Sequence, residues 1–179
     1  MRKIILIGGD LASGKSTYSR FLSAKFNISL INKDRLKEIL GDHIATNNRS
    51  ENKKLSEISF SLIKYLIETT KTDLIVESIF KPYEMVELKK YETENKILSL
   101  HFIGDNEILH KRFLKRLNEG RHHVHKSQDF TDINDFIEVL NELRSVKYIG
   151  EVIRVDATKF NDITKDYDLM TKVENFIQK

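Results

Sequence analysis

The chain has 179 residues, of which 40% are hydrophobic and 32% are charged, a composition typical of one globular domain with a buried core. Its 30 basic and 27 acidic residues leave a net charge of +3, which by itself is too balanced to indicate a nucleic-acid or membrane partner. Cysteine is absent from the sequence, so disulfides, thiol catalysis and cysteine-based zinc sites are excluded.

The apolar segments of the chain are short. Only four apolar residues separate Met1-Arg2-Lys3 from Gly8, too few for the core of a signal peptide. No apolar run approaches the ~20 residues that cross a bilayer. We therefore expect a cytoplasmic protein without a membrane partner.

Short apolar runs alternate with longer segments of helical periodicity, which is typical of a mainly parallel sheet covered by helices on both faces. Without an evident linker or repeat, we expect a single domain over residues 1–179. The predicted strands are 3–8, 28–32, 73–77, 96–103 and 151–155. The predicted helices are 15–26, 34–41, 51–70, 82–94, 105–118, 132–147 and 166–178.

Two helices carry apolar stripes that predict their buried faces. In helix 15–26 the stripe is Tyr18, Phe21, Leu22 and Phe26. In helix 51–70 it is Leu55, Ile58, Leu62 and Leu66. Gly41 is expected to end helix 34–41, and the polar residues 42–50 to form a mobile loop.

The strongest motif is Gly9-Asp10-Leu11-Ala12-Ser13-Gly14-Lys15-Ser16, which fits the phosphate-loop (Walker A) pattern G-x-x-x-x-G-K-[ST] at every fixed position. It lies between an apolar strand and an amphipathic helix, as the pattern requires. Glycines let successive backbone N–H groups face phosphate oxygens, and the helix presents its positive end to them. Lys15 adds a charge toward the β and γ phosphates. The Ser16 hydroxyl is placed to ligate Mg²⁺, with Thr17 as a second hydroxyl, so residues 9–17 are predicted to bind a nucleotide.

Two other nucleotide-using classes fit the sequence poorly. Asn32-Lys33-Asp34 looks like the guanine-reading N-K-x-D motif, but it lacks the spacer residue and comes too early, so it gives no support for guanine. A motor-type ATPase needs an acidic residue after a long apolar strand, for which residues 74–77 (LIVE) are the one candidate. The chain length also leaves little room for a coupled mechanical domain.

Further blocks follow in a characteristic order. They are residues 31–37 (INKDRLK), 75–80 (IVESIF), 112–116 (RFLKR) continuing into 120–122 (GRH), and 155–158 (VDAT). With the phosphate loop, they resemble the small P-loop kinases around the zeta toxins, chloramphenicol phosphotransferase and 5′-hydroxyl polynucleotide kinases. The resemblance covers nearly the whole chain, although only the phosphate loop is specific alone.

This resemblance implies the P-loop NTPase fold in its nucleoside-kinase-like form. That fold is a three-layer sandwich of about five mainly parallel strands with helices on both faces and an arginine lid, here at about 119–130. It also implies ATP and Mg²⁺ as cofactors, with the loop after the last strand near the adenine. The lid arginines, Arg112, Arg116 and Arg121, would clamp the transferring phosphoryl group together with Lys15.

In the resembled enzymes, the Asp at the end of the second strand accepts the proton of the attacking hydroxyl, and Asp34 occupies that position. A carboxylate at a strand end can orient a hydroxyl toward the γ-phosphate. Asp is also a preferred N-cap, so capping of helix 35–41 is the alternative role. Arg35 and Lys37 would hold an anionic acceptor or form a solvated helix start. Glu77 would hold a magnesium-bound water or a substrate hydroxyl, or have no role.

The basic helix and the segment after it supply the remaining candidates. Arg112 and Arg116 are four residues apart and border the apolar stripe of Leu109, Phe113 and Leu117, so we expect them at the edge of a cleft. An ordinary basic surface helix is the alternative. His122, His123 and His125 invite a metal-site interpretation, but zinc needs three or four converging ligands. We expect phosphate contacts or simple exposure instead.

The residues and the resemblance together predict an ATP- and Mg²⁺-dependent phosphotransferase. Its acceptor would be a hydroxyl on a small molecule, a nucleotide or a nucleic-acid end. One alternative is a nucleoside monophosphate kinase, whose acceptor is a phosphate and needs no strong base. The other is a nucleotide-gated binding module with slow ATPase activity that signals through a partner.

Overall fold

The computed structural model describes residues 1–45, 48–120, 122–125, 130–159 and 161–178. Within these ranges the strands are β1 (Arg2–Gly9), β2 (Ser29–Asn32), β3 (Leu74–Glu77), β4 (Asn95–Ile103) and β5 (Glu151–Asp156). The α-helices there are α1 (Lys15–Phe26), α2 (Lys33–His43), α3 (Arg49–Thr69), α4 (Pro82–Leu88), α5 (Asn106–Asn118), α6 (Ile133–Arg144) and α7 (Tyr167–Gln178). Short 3-10 turns lie at Lys89–Thr93, His123–His125 and Ile163–Lys165.

The strands form one sheet in the order β2-β3-β1-β4-β5, and every neighbouring pair is parallel. This confirms the predicted α/β class with a five-stranded sheet. Parallel neighbours need crossover connections, which the intervening helices supply. Because β1 is central, the loop that follows it opens between the ends of β3 and β4.

Alternate residues of β1 serve the two faces of the sheet. Ile5 and Ile7 pack in a cluster with α1 and α7, whereas Ile4 and Leu6 pack in a second cluster with α3 and α4. All four side chains are at most 1% exposed. Burial on both faces explains the uninterrupted apolar run of this strand, and each buried Ile contributes roughly 1.5–3 kcal/mol relative to exposure.

The predicted buried face of α1 is confirmed. Tyr18 and Leu22 are completely buried, and Phe21 and Phe26 pack against the same cluster. This face lies on the sheet, so α1 is fixed directly behind the phosphate loop from which it starts.

The predicted stripe of α3 is wrong at Ile58 and Leu62, which are 43% and 37% exposed. Two apolar stripes run along this helix, and contact with the sheet selects the other one. The residues of α3 that are buried are Leu55, Ser59, Phe60, Ile63 and Ile67. Ser59 can be buried because its hydroxyl donates to the Leu55 carbonyl at 2.7 Å. None of the helices within the described ranges, α3 included, has the length and apolar character to cross a membrane.

The structure also corrects the prediction for α2, which continues through Gly41 to His43. Gly41 lies inside the helix because Val124 packs against it, and a Cβ there would be 2.2 Å from a Val124 methyl carbon. The expected loop over 42–50 is accordingly shorter, since α3 begins at Arg49. Thr46 and Asn47 lie outside the described residues.

Two other predicted helices are shorter than expected. The helix predicted over 82–94 ends at Leu88 and continues as the 3-10 turn Lys89–Thr93. The helix predicted over 132–147 ends at Arg144. There the chain turns so that Val146 enters the cluster beneath α3 and α4. Val146 packs on the face of the sheet that carries α3 and α4, and its burial there competes with continuation of the helix.

A third apolar cluster covers the phosphate loop. Leu11 and Ala12 of the loop pack with Leu109 and Phe113 of α5, and with Phe136 of α6. The two helices that flank the predicted lid therefore stand directly against the loop. This cluster positions α5 and α6 at the edge of the site.

Candidate active site

The candidate site lies where three neighbouring strands end. Asn32 of β2 pairs in register with Glu77 of β3, and Glu77 pairs with Ile7 of β1. A pocket of about 760 Å³ opens at these strand ends. It is lined by the phosphate loop, the start of α2, Glu77, the end of α5 and residues 122–125, which we call the histidine turn. This is the position at which open parallel sheets bind ligands.

The phosphate loop has the backbone conformation that its glycines predict. Gly9, Ala12 and Gly14 have positive φ angles of 118°, 55° and 84°. At Gly9 a Cβ would lie 2.1 Å from the carbonyl oxygen of Phe102, so a larger residue cannot be accommodated there. Gly14 is the N-cap of α1 and supplies no side-chain cap, which leaves the positive end of this helix facing the pocket.

Lys15 is folded onto the loop that it follows. Its Nζ donates to the Gly9 carbonyl at 3.1 Å, to the Asp10 carbonyl and to the Ser13 hydroxyl at 3.2 Å. Burial lowers the pKa of Lys15, and the nearby carboxylates of Glu77 and Asp34 oppose this effect. An ammonium held by neutral carbonyls can move to phosphate oxygens at little cost, because phosphate offers a charged acceptor.

Asp10 takes a role that the sequence pattern did not indicate. Its carboxylate is completely buried and accepts from Arg144, whose Nε lies 3.1 and 3.0 Å from the two oxygens and whose Nη2 lies 2.6 Å from Oδ2. Arg144 also donates to the Gly104 carbonyl at 2.6 Å. The Asp10 side chain thus anchors the loop to the end of α6 instead of facing the pocket. No motif marks Arg144, and only the fold brings it here.

Ser16 and Glu77 bring two oxygen donors together at the pocket. The Ser16 hydroxyl lies 3.2 Å from Oε2 of Glu77, which also accepts from the Asn32 amide. Hydroxyl and carboxylate oxygens are the ligands that Mg²⁺ prefers. These residues therefore fit the predicted magnesium site, with Glu77 close enough to hold the ion or one of its waters. Thr17 is exposed on the outer side of α1.

The carboxyl group of Glu77 is 4% exposed, and burial raises its pKa from the ordinary 4.5 to about 7. The positive charge of Lys15 opposes this rise, and the carboxylate of Asp34 adds to it. In the nucleotide-free protein the group is therefore largely protonated below neutral pH. A bound cation would favour its ionised form.

This shift predicts a pH dependence of stability. Between pH 4.5 and about 7 the folded state holds the Glu77 proton that the unfolded chain releases. The free energy of unfolding should therefore fall as pH rises, by at most about 1.4 kcal/mol per pH unit. Urea unfolding in the presence of a chelator should give a flatter pH profile for Glu77→Gln than for wild type. Parallel profiles over this window would contradict the shift.

Asp34 lines the pocket and is exposed, on the first turn of α2. The N-cap of this helix is Asn32, whose Oδ1 accepts from the Arg35 backbone N–H at 2.7 Å. The alternative role of Asp34 as an N-cap is therefore wrong. Its carboxylate interacts electrostatically with both Lys15 and Glu77, so it stands in the same site as the phosphate loop.

Arg35 and Lys37, the two predicted acceptor-binding residues of α2, lie on different sides of the helix. Arg35 lines the pocket, with its guanidinium 3.1 Å from Oε2 of Glu38. Lys37 is 8% exposed and belongs to the buried side of the helix. The structure thus brings Arg35, and not Lys37, to the place where an acceptor would lie.

Two of the predicted lid arginines, Arg112 and Arg116, also lie in different places. Arg116 lines the pocket, whereas Nη1 of Arg112 donates to the Ala157 carbonyl at 2.8 Å, beside the loop that follows β5. Lys111 and Lys115 of the same helix are exposed. Arg121 lies outside the described residues, so its predicted role has no structural account.

The histidine turn packs against α2. Nε2 of His122 lies 2.9 Å from Oδ1 of Asp42, and Nε2 of His125 lies 3.3 Å from Oε1 of Glu38. His125 is 7% exposed, so simple exposure does not describe this residue. The turn and α2 together form the wall of the pocket that faces the phosphate loop.

The sequence matches no protein-family model and no curated protein sequence. Its structure is similar to a presumed kinase from Chloroflexus aurantiacus, with a TM-score of 0.75, 20% identity, and coverage of 96% of this chain and 97% of that one. It is also similar to shikimate kinase from Bacteroides thetaiotaomicron, with a TM-score of 0.66, 13% identity and 98% coverage of both chains. For a gluconokinase from Sinorhizobium meliloti, the TM-score is 0.61 at 13% identity, with 99% and 98% coverage. The chain therefore has the fold of the P-loop kinases.

Proposed function

We propose that the protein is an ATP- and Mg²⁺-dependent phosphotransferase that moves the γ-phosphoryl group to a hydroxyl acceptor. The observation that carries this proposal is the convergence of Lys15, Ser16, Glu77 and Asp34 on one pocket. Each of these side chains supplies a different requirement of phosphoryl transfer. The proposal places the reaction in the cytoplasm, where ATP is available.

In the proposed reaction, the oxygen of the acceptor hydroxyl forms a bond to the γ-phosphorus. The bond between the γ-phosphorus and the β–γ bridging oxygen breaks, and ADP leaves. Asp34 accepts the proton that the hydroxyl loses. Lys15 and Arg116 offset the charge that develops on the phosphoryl oxygens. Ser16 and Glu77 would hold Mg²⁺, which would offset the negative charge of the phosphates.

The charges around the acceptor side favour a hydroxyl over a phosphate. Asp34 and Glu38 of α2 lie on the wall that faces the phosphate loop, together with Arg35, and Glu77 lies at the end of β3. Arg20 and Arg116 line the pocket from α1 and α5. A nucleoside monophosphate would bring about two negative charges toward these carboxylates. Moreover, the similar structures named as kinases of shikimate and of gluconate are not named for a nucleotide acceptor. The narrower toxin, antibiotic or polynucleotide kinase branch remains a proposal from sequence.

The nucleotide-gated binding module is the second candidate. Lys15 and the phosphate loop would serve such a protein equally well, because they bind nucleotide and do not select an acceptor. The exposed carboxylate of Asp34 at the pocket favours the kinase, since a module needs no base. Transfer experiments separate the two candidates.

We expect radioactive γ-phosphate from ATP to appear in one class of hydroxylated acceptor when Mg²⁺ is present. The panel would contain sugars, small hydroxy acids, nucleosides, hydroxylated antibiotics, 5′-hydroxyl oligonucleotides and nucleoside monophosphates. Lys15→Ala should abolish transfer, because it removes the charge that meets the phosphates. If label appeared in nucleoside monophosphates alone, the conclusion would be that the acceptor group is a phosphate and not a hydroxyl. ATP binding without transfer to any acceptor class would favour the binding module.

A further inference from the structure

A cluster of potential metal ligands lies where the histidine turn meets the end of α2. Asp42, His122 and His123 each offer one ligand atom, and these atoms all lie within 4.8 Å of one another. The hydrogen bond between Asp42 and His122 joins residues that are about 80 positions apart in sequence. Only tertiary packing therefore forms the cluster, and the histidines alone do not reveal it.

The nitrogen atoms of the cluster face oxygen atoms. Nε2 of His122 is 2.9 Å from Oδ1 of Asp42, and Nε2 of His123 is 3.1 Å from the Gly41 carbonyl oxygen. The two imidazole rings are 4.2 Å apart between centroids. Both nitrogens thus point at the same corner of α2, which offers a carboxylate and a carbonyl.

The end of α2 provides a favourable field for a cation. Gly41 lies in the last turn of this helix, where carbonyl groups lack a partner within the helix. The helix dipole places partial negative charge at this end. A positive ion between Asp42 and the histidines would therefore be stabilised by groups that are not ligands.

We propose that Asp42, His122 and His123 form a binding site for a divalent transition-metal ion of the zinc type. Two imidazoles and one carboxylate are a ligand set for Zn²⁺, Co²⁺ or Ni²⁺, whereas Mg²⁺ prefers oxygen ligands alone. The Gly41 carbonyl or a water would complete a four-coordinate site. The site is distinct from the proposed Mg²⁺ position at Ser16 and Glu77.

Binding requires only small side-chain movements. Bonds of about 2.0–2.2 Å to zinc put ligand atoms about 3.3–3.5 Å apart in a tetrahedron, compared with the present separation of up to 4.8 Å. Asp42 and His123 are exposed and can rotate. Bonds to the metal would replace the hydrogen bonds of Nε2 of His122 to Asp42 and of Nε2 of His123 to the Gly41 carbonyl. They would also break the 3.4 Å hydrogen bond from the Val124 N–H to Nδ1 of His122, because this nitrogen carries the proton when Nε2 binds metal. That contact is long and therefore weak.

The consequence would be a link between the two segments that form the wall facing the phosphate loop. α2 carries Asp34, Arg35 and Glu38, and the turn carries His122 and His125, all of which line the pocket. A metal ion shared by α2 and the turn would hold them at a fixed separation. The proposal itself rests on metal binding and does not depend on the identity of the acceptor.

The test is metal binding by the full chain after treatment with a chelator and removal of that chelator. Titration with Co²⁺ should give visible absorption bands of a nitrogen-coordinated ion, and calorimetry with Zn²⁺ should give one site per chain. Both measurements are made without nucleotide and with excess Mg²⁺, which should not compete. Asp42→Asn and His123→Asn should each weaken Zn²⁺ binding roughly tenfold or more.

His43→Asn is the matched control, because His43 is an exposed histidine in the last turn of α2 and is outside the ligand set. It should leave the affinity unchanged. Circular dichroism would verify that the variants, whose changes at Asp42 and His123 are on the surface, remain folded. Absence of binding in wild type, or an equal affinity in all variants, would overturn the proposal. An equal loss in the control would show adventitious surface binding and would overturn it as well.

Discussion

Replacing Asp34 by Asn is expected to lower kcat for phosphoryl transfer to a hydroxyl about 10²- to 10⁴-fold. The amide keeps the size of the side chain but cannot accept the proton of the attacking hydroxyl. Because Asn32 caps α2 and Asp34 is exposed, the variant should fold normally. Steady-state kinetics with each substrate varied should show little change in KM for ATP, since the phosphate loop is untouched.

Asp168→Asn is a suitable control for this variant. It removes one carboxylate, as Asp34→Asn does, but from the exposed surface of α7, where Asp168 pairs with Lys172 at 2.9 Å. Its kcat should equal that of wild type. A fall of less than about threefold in Asp34→Asn would contradict the role of Asp34 as base, because general-base catalysis typically contributes at least 10²-fold. It would also favour a phosphate acceptor, which arrives already ionised.

Replacing Arg144 by Met should lower the free energy of unfolding by about 3 kcal/mol, since removal of one partner leaves a buried charge without compensation. This value is the lower end of the ~3–5 kcal/mol range for buried pairs, because Arg144 is 28% exposed while Asp10 is fully buried. Urea unfolding followed by circular dichroism measures the loss. KM for ATP should also rise, because Asp10 is part of the phosphate loop.

Four further variants test this explanation. Arg154→Met removes an exposed arginine of β5 and should be nearly neutral. Arg144→Lys keeps the charge but not the paired hydrogen bonds, and should be intermediate. Asp10→Asn is made alone and combined with Arg144→Met. The double variant should lose less free energy of unfolding than the sum of the losses in the two single variants. A loss for Arg144→Met no larger than that for Arg154→Met would contradict the pairing.

α6 contacts the phosphate loop at two places. α6 follows directly after the predicted lid segment and ends at the residue that binds Asp10 and the Gly104 carbonyl. Phe136 of the same helix packs against the phosphate loop through the third apolar cluster. The helix that follows the predicted lid segment thus contacts the phosphate loop by both a polar and an apolar contact. The KM for ATP of the Arg144 variants measures this connection.

Much of the site could be predicted because its chemistry is local in sequence. Residues 9–16 form a continuous segment, and the glycines, the lysine and the serine have roles set by the backbone that they share. The positions of Asp34 and Glu77 also follow from sequence, because Glu77 is the last residue of an apolar strand and Asp34 comes two residues after the end of another. Strand ends of a parallel sheet necessarily meet at one edge.

The parts that could not be predicted depend on which surfaces pack together. The sequence of α3 offers two apolar stripes, and contact with the sheet left Ile58 and Leu62 exposed. Gly41 looks like a helix terminator until Val124 from a distant segment is placed against it. Likewise, Asp34 looks like an N-cap until the side chain of Asn32 is seen in that position.

The sequence by itself determined the α/β class, the phosphate loop and the order of the elements, because these depend on periodicity and on short continuous motifs. Only the tertiary structure decided the strand order, the anchoring of Asp10 by Arg144, and the placement of Arg116 in the pocket and Arg112 beside Ala157. It also brought Asp42 to the histidines. These features join residues that are far apart in the chain, and such contacts are selected by burial and charge pairing over the whole fold, which local sequence does not encode.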